Sequence, residues 1–125
     1  MKAEEKRSTA YQKMVKNYLK YNQCPVSATI SVIGGKWKPI VLYLIHSDVH
    51  RFGEMLRMLE GISKKMLTGT LRELEKDGLI HRKVFAVVPP KVEYTMTAKG
   101  NTLCPLIIQM REWGLKNVLI ASNLA

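Results

Sequence analysis

The sequence lacks long apolar runs and has few cysteines. No stretch approaches the ~20 consecutive apolar residues that a membrane span needs, and residues 1–20 are charged, without the apolar core of a secretory signal. The two cysteines, Cys24 and Cys104, are too few and too far apart for a disulfide scaffold. We therefore expect a cytoplasmic protein whose thiols are reduced at rest.

The usual signatures of catalysis and metal binding are also missing. The sequence has no glycine-rich phosphate loop, no nucleophile elbow and no carboxylate pair, and its ten acidic residues are scattered, mostly beside basic ones. His46 and His50 are four residues apart, but the pair Ser47-Asp48 is typical of a helix end and no third ligand is evident. We expect no enzymatic activity, no cofactor and no bound metal.

Positive charge is what the sequence has in excess. Twenty Lys and Arg against 10 Asp and Glu give a formal net charge of +10 on 125 residues, the length of one domain with a modest core. Such a balance favours a polyanionic partner, either nucleic acid or an anionic membrane surface. Charge alone does not choose between the two.

The N-terminal segment predicts an amphipathic basic helix over residues 8–21. Its lysines lie on the side opposite the apolar positions, which are Tyr11, Met14, Val15, Tyr18 and Leu19. An isolated helix of this type can lie on a membrane surface. Packing against its own domain or against a second subunit is the interpretation that we favour.

Two short apolar helices are predicted next. VSATISVI follows Cys24-Pro25 and is stopped by Gly34-Gly35, and KWKPIVLYLI then restarts the helix with Pro39 in its first turn. Both are expected to be mostly buried.

Residues 51–80 have the pattern of a helix-turn-helix. A helix is predicted over 51–59, followed by a turn that contains Gly61, and Ser63 is placed to cap a second helix that Asp77-Gly78 ends. In such motifs the second helix enters the DNA major groove. The predicted second helix has one buried face, formed by Leu67, Leu71 and Leu74, and an outward face with Lys64, Lys65, Thr68 and Arg72.

A hairpin is predicted directly after this motif. LIHRKVFAVVPPKVEYTMT favours two strands on either side of Pro89-Pro90, with Arg82, Lys83 and Lys91 as a basic margin. That margin either contacts the DNA backbone or only keeps an exposed hairpin soluble. A helix-turn-helix followed by such a hairpin is a winged helix.

The last segment predicts a helix capped by Thr97. Its apolar residues exceed what one small domain covers, which indicates dimerisation, and Pro105 either kinks the helix or marks its beginning. Elsewhere, Lys36 and Arg51 stand near helix starts as weaker phosphate ligands, and Lys38 is expected to be an ordinary surface lysine.

The two cysteines have different expected environments. Cys24 precedes a proline at a helix start, where the helix dipole stabilises a thiolate, so it is either a reactive thiol or a small residue filling a joint between helices. Cys104 is expected in the core. An intersubunit disulfide stays open, and we assume no bond between Cys24 and Cys104.

Together these motifs resemble the HxlR-type winged-helix transcription regulators, relatives of the MarR group. The resemblance runs over residues 24–114, through CPVSATISVIGGKWKPIVLYLI, the Arg51-Phe52 pair, ISKKMLTGTLRELEKDGLIHRKV, VPPKVEYTMTAKG and REWG. It implies a homodimer held by its N- and C-terminal helices on a pseudo-palindromic operator. It also implies that the cysteine of the CP motif, here Cys24, can sense oxidants or electrophiles. The chain departs from the pattern at Gly69, where relatives often have a longer polar side chain, and in its longer segment before Cys24.

The sequence thus predicts a mainly α fold with a small β-hairpin: a winged helix-turn-helix with additional N- and C-terminal dimerisation helices. Residues 1–23 are assigned to the dimer interface, 24–97 to DNA binding and 98–125 to dimerisation. A winged-helix protein-interaction module that does not read DNA is the alternative. The predicted DNA-binding residues are Ser63, Lys64, Lys65, Thr68, Arg72, Arg82, Lys83, Lys91, Arg51 and Lys36. The predicted interface residues are Tyr11, Met14, Tyr18, Leu103, Leu106, Ile107, Met110 and Trp113.

Overall fold

Six helices and one β-hairpin make up residues 2–20 and 23–119, the parts of the chain that the computed structural model describes; side chains are described from residue 9 onward. In chain order the elements are α1 (Lys2–Lys20), α2 (Pro25–Ile33), α3 (Trp37–His46), α4 (Phe52–Met58), α5 (Lys64–Lys76), β1 (Ile80–Phe85), β2 (Lys91–Met96) and α6 (Ala98–Asn117). The predicted mainly α fold with a hairpin is confirmed. The chain divides into two compact units, residues 1–34 and residues 35–125.

The first unit consists of α1 and α2. The helix predicted over residues 8–21 begins earlier in the structure, at Lys2, and is described as far as Lys20; its predicted end at residue 21 lies outside the described residues. The prediction that α2 is mostly buried was wrong: Val26 and Ile30 are exposed, and within α2 only Ile33 is buried. The apolar composition of a helix indicates that its surface will be buried. It does not say whether the same chain or another molecule buries it.

The core of the second unit lies where α3, α5 and α6 meet. α3 contains the buried residues Val41, Leu42 and Ile45 and contacts α5, α6 and β2. α5 contributes its three leucines to this core, and α6 contributes Cys104 and Ile107. α3 is therefore the central helix, and its apolar sequence reflects contacts on several sides.

The hairpin pairs β1 with β2 in antiparallel register, from Ile80 opposite Met96 to Phe85 opposite Lys91. The loop before α4 is attached to this hairpin by two hydrogen bonds. The backbone N–H of Tyr94 donates to the carbonyl of His50 (2.8 Å), and Nδ1 of His50 donates to the carbonyl of Tyr94 (2.9 Å). His50 therefore has a structural role outside any helix. No group of three or more potential ligands in the described part of the chain is placed to hold a metal ion.

α6 begins where the sequence predicted. The Thr97 hydroxyl accepts a hydrogen bond from the backbone N–H of Gly100 (2.9 Å) and donates one to the carbonyl of Gly78 (2.6 Å). The helix is continuous past Pro105, so the alternative that Pro105 marks its beginning was wrong.

No single helix within residues 2–20 and 23–119 is both long and apolar enough to cross a membrane; α2 and α3 reach that length and composition only when taken together.

Candidate nucleic-acid interface

α5 is fixed in place by a cap at each end and by an apolar face. The Ser63 hydroxyl accepts a hydrogen bond from the backbone N–H of Met66 (3.0 Å), which confirms the predicted cap. At the other end Gly78 adopts φ +75°, a conformation that favours glycine, and the chain turns away after Asp77. Between these ends all three leucines are buried, so the rotation of the helix about its own axis is determined.

The opposite face of α5 is basic and open. Lys64, Lys65 and Arg72 are exposed, and Thr68 is half-buried at the edge of the face. Across residues 2–20 and 23–119, no ion pair or hydrogen bond engages the side chains of the three basic residues. Their charges are therefore available to an external anion.

One acidic residue on α5 is neutralised from within the fold. Oε2 of Glu73 lies 2.9 Å from Nζ of Lys38 on α3. Lys38 was expected to be an ordinary surface residue, but its side chain is mostly buried and bridges α3 to α5. The sequence contained no signal for this pair, because its partners are 35 positions apart (73 − 38) on separate helices.

The hairpin approaches the basic face of α5. A cleft of about 390 Å³ is lined by Thr68 and Arg72 from α5, by Arg82 and Tyr94 from the hairpin, and by Leu71 and Glu75. The structure thus brings two predicted DNA-binding residues of α5 to the same cleft as one from the hairpin. Arg82 has no ion pair in the described part of the chain.

The other two hairpin cations have internal contacts. Nζ of Lys91 lies 3.1 Å from Oε1 of Glu93, and Lys83 and Lys91 both lie near the Phe85 ring, 5.0 and 5.1 Å from its centroid. The hydrogen bond from Lys91 is the main cause that lowers the pKa of Glu93, and the charges of His50 and Arg51 add to it. Lys91 is therefore already partly neutralised, whereas Lys83 remains exposed.

Arg51 and Lys36, the two weaker candidates for phosphate binding, lie in different surroundings. Arg51 is exposed, immediately before α4 and close enough to Glu93 to influence its carboxylate. Lys36 is exposed just before α3, with its Nζ 4.7 Å above the Trp37 ring. Neither residue lines the cleft between α5 and the hairpin.

The two cysteines have different environments. Cys24 is the N-cap residue of α2 and is partly exposed; its thiol makes no capping hydrogen bond, but the nearby Ser27 backbone N–H, and then the Ser27 hydroxyl, favour the thiolate and lower the pKa of Cys24. Cys104 is buried in α6, its Sγ 3.5 Å from the carbonyl of Gly100, and burial raises its pKa. The prediction that Cys104 belongs to the core is confirmed, and both thiols are free.

The predicted interface residues fall into two groups. On α1, Tyr11 and Met14 are exposed and Tyr18 is half-buried; on α6, Leu106, Met110 and Trp113 are exposed and Leu103 is half-buried. Ile107 is different, because only 6% of it is exposed and it belongs to the core of its own chain.

A helix-turn-helix whose second helix presents a basic face beside a hairpin defines a winged-helix protein. Residues 32–120 match the model of the HxlR-like helix-turn-helix family, so the chain belongs to that family. It is a transcriptional regulator of the winged helix-turn-helix class.

Proteins of known sequence or structure agree with this assignment. YybR of Bacillus subtilis strain 168, an uncharacterised HTH-type transcriptional regulator, is 52% identical over 94 residues, which are 75% of each chain. The redox regulator HypR is similar in its oxidised form, at 53% identity and a TM-score of 0.71 over 75% of this chain and 97% of that one. Its reduced form gives 48% identity and a TM-score of 0.73 over 80% and 99% of the two chains.

Proposed function

We propose that the protein acts as a homodimer that binds a pseudo-palindromic operator. Each subunit would place residues 63–77 in a major groove with the hairpin alongside, and the two half-sites would be separated by about one helical turn of DNA or a multiple of it. The observation that carries this proposal is the basic face of α5, whose cations have no ion pair within the described residues. No catalytic step and no cofactor is required, and the site of action is the cytoplasm, where the operator DNA lies.

The cations are assigned different tasks on DNA. Arg72 or a lysine of the first turn of α5 can pair with guanine in the major groove, and such a contact discriminates by ~1–3 kcal/mol. Thr68 is suited to a phosphate or a thymine methyl group, and Ser63 retains a hydroxyl proton for a phosphate while its oxygen caps α5. Arg82 and Lys83 are suited to phosphates, which add affinity and salt sensitivity. Lys91, Arg51 and Lys36 have peripheral positions.

Dimerisation is supported by apolar side chains that the single chain leaves exposed. Trp113 is 64% exposed on α6, near Leu106 and Met110 on the same helix, and α1 exposes Tyr11 and Met14. A groove of about 340 Å³ between α3 and α6, lined by Ile40, Tyr43 and Met110 among others, continues the apolar surface of α6. We assign these surfaces to a second copy of the chain and not to a membrane.

A titration of fluorescent duplex DNA tests the DNA-binding step. We expect an affinity that falls steeply with salt, and one preferred sequence when binders are selected from random duplexes. A protein-interaction module that does not read DNA would bind no duplex even at low salt. Co-sedimentation with anionic liposomes, using the whole chain and a variant without residues 1–21, tests the membrane alternative.

We further propose that oxidation or alkylation of Cys24 changes the affinity for the operator. The support is local: the thiol is partly exposed, and the nearby backbone N–H and hydroxyl of Ser27 lower its pKa, so that more of it is thiolate at neutral pH than for an ordinary cysteine. A shift of the helices next to Cys24 would alter the distance between the two recognition helices of the dimer. The similarity to the redox regulator HypR is consistent with this role.

Operator binding with and without a thiol oxidant tests the sensor. Cys24→Ser is expected to abolish the response, whereas Cys104→Ser, which alters a buried thiol, should leave it intact. A Cys24→Ser variant that responds normally would end the proposal. The alkylation rate of Cys24 should increase in a lower pH range than that of an ordinary thiol, because its pKa is lowered. Ser27→Ala removes only the contribution of the hydroxyl and should slow alkylation at neutral pH.

A further inference from the structure

Gly69 occupies the centre of the basic face of α5. It is exposed, and Lys65 and Arg72 stand four residues before it and three residues after it, on the same face of the helix. The backbone of α5 is therefore bare at the middle of the surface that we assign to DNA. Glycine is among the least favourable residues in a helix interior, so its presence there weakens the helix.

Five other glycines of the described residues have reasons inside the chain. Gly35, Gly61 and Gly78 adopt positive φ angles, and side chains at Gly34 and Gly100 would collide with the carbonyl oxygens of Ile30 and Leu79. Gly69 has an ordinary helical backbone, and a Cβ built on it meets no atom within 4 Å.

Nothing in the fold of the single chain therefore requires glycine at position 69. A Cβ at Gly114 also meets no atom within 4 Å, and one at Gly53 makes only an ordinary contact with the Arg57 guanidinium at 3.6 Å, but neither glycine lies on the basic face of α5. We therefore look for the reason for a glycine at position 69 in the molecule that this face contacts.

We infer that Gly69 is the point of closest approach between α5 and the operator. Without a side chain there, the helix backbone can come directly against the base-pair edges in the major groove, while Lys65 and Arg72 reach bases or phosphates on either side. Gly69 then selects sequence by the room it leaves for the opposite base pair and not by a hydrogen bond. The inference rests on the proposed function, because it takes duplex DNA as the partner.

Two substitutions separate this role from a requirement of the fold. Gly69→Ala and Gly69→Leu introduce good helix formers into open space, so both should raise Tm by ~2–6 °C. Both should nevertheless weaken binding to the duplex selected by the unmodified protein, by ~5- to 100-fold, with the larger loss for leucine, because the added atoms collide with DNA.

The salt dependence adds a readout that a purely structural effect would not change. If a side chain at position 69 holds the helix away from the groove, the protein neutralises fewer phosphates, and the slope of log K against log salt should decrease in magnitude by ~0.9 for each phosphate no longer neutralised. Thr70→Ala is the matched control, since Thr70 is the next residue on α5 and is half-buried. Its affinity should stay within ~2-fold of the unmodified protein.

Each outcome has one meaning. If the unmodified protein binds no duplex DNA, the proposed function fails and this inference fails with it. If the unmodified protein binds and both Gly69 variants bind equally well, the close approach alone is refuted. Variants that lose stability would show that the fold itself requires the glycine, which also overturns the inference.

Discussion

α5 and α6 both contribute buried side chains to the core of the second unit, yet they use their remaining surfaces differently. α5 buries all three of its leucines, exposes only Met66 among its large apolar residues, and presents Lys64, Lys65 and Arg72 to solvent, so most of its apolar surface is covered inside one chain. α6 buries Cys104 and Ile107 but leaves Leu106, Met110 and Trp113 exposed. The difference indicates that α5 needs a polar partner and α6 an apolar one, which are the DNA and the second subunit of the proposed function.

The largest difference between the two helices should be seen in stability. Leu74→Ala on α5 removes a fully buried side chain and should lower the free energy of unfolding by ~2–5 kcal/mol. Leu106→Ala on α6, where the side chain is 41% exposed, should lower the free energy of unfolding much less at low protein concentration. Denaturant unfolding followed by circular dichroism measures both, and equal losses at every protein concentration would erase the distinction.

The apolar face of α6 should dominate self-association. Trp113→Ala should weaken the dimer by ~2–4 kcal/mol, because an exposed tryptophan of this kind is a typical centre of an interface. Lys116→Ala, an exposed position three residues further along α6, is the control and should have little effect. Sedimentation equilibrium measures the association constant, and an unmodified protein that is already a monomer would contradict the role assigned to α6.

The basic face of α5 should dominate operator binding. Arg72→Ala should weaken it by ~1–3 kcal/mol and relax the preference at one base pair if Arg72 reads guanine. Arg111→Ala removes an equal charge from α6, where the guanidinium is already paired with Glu112 (2.7 Å), and should have a smaller effect. Fluorescence anisotropy on a set of single-base operator variants measures both changes. Unchanged affinity for Arg72→Ala would remove this residue from the site.

The smallest effect is expected in the hairpin. Arg82→Ala should reduce the magnitude of the salt slope by ~0.9, the amount for one phosphate contact. Lys91→Ala should reduce it less, because its ammonium group is already paired with Glu93. Titrations at several salt concentrations give both slopes, and the reverse order would show that the internal ion pair opens on DNA.

Local patterns predicted most of the fold. The caps at Ser63 and Thr97, the end of α5 at Asp77-Gly78 and the hairpin around Pro89-Pro90 depend on side chains a few residues apart, and the structure confirms them. The outward face of α5 could also be predicted from the sequence. The helical period places Leu67, Leu71 and Leu74 on one face, so the residues on the opposite face follow from their spacing.

Long-range relations were not accessible in the same way. The sequence contained no sign that Lys38 would neutralise Glu73, that His50 would attach to Tyr94, or that Arg82 would share a cleft with Arg72. The exposure of α2 was predicted wrongly for the same reason. Apolar residues indicate that a surface will be buried, but they do not identify the segment or molecule that packs against it.

By itself, the amino-acid sequence determined that these segments are helical, the caps at Ser63 and Thr97 and the apolar face of α5, because propensity and periodicity act within a few turns of chain. The tertiary structure alone decided which charges remain unpaired, which apolar residues the single chain can bury, and which cations meet across the cleft. Those properties arise from contacts between distant segments, and only the packed arrangement brings such segments within range of a hydrogen bond or an ion pair.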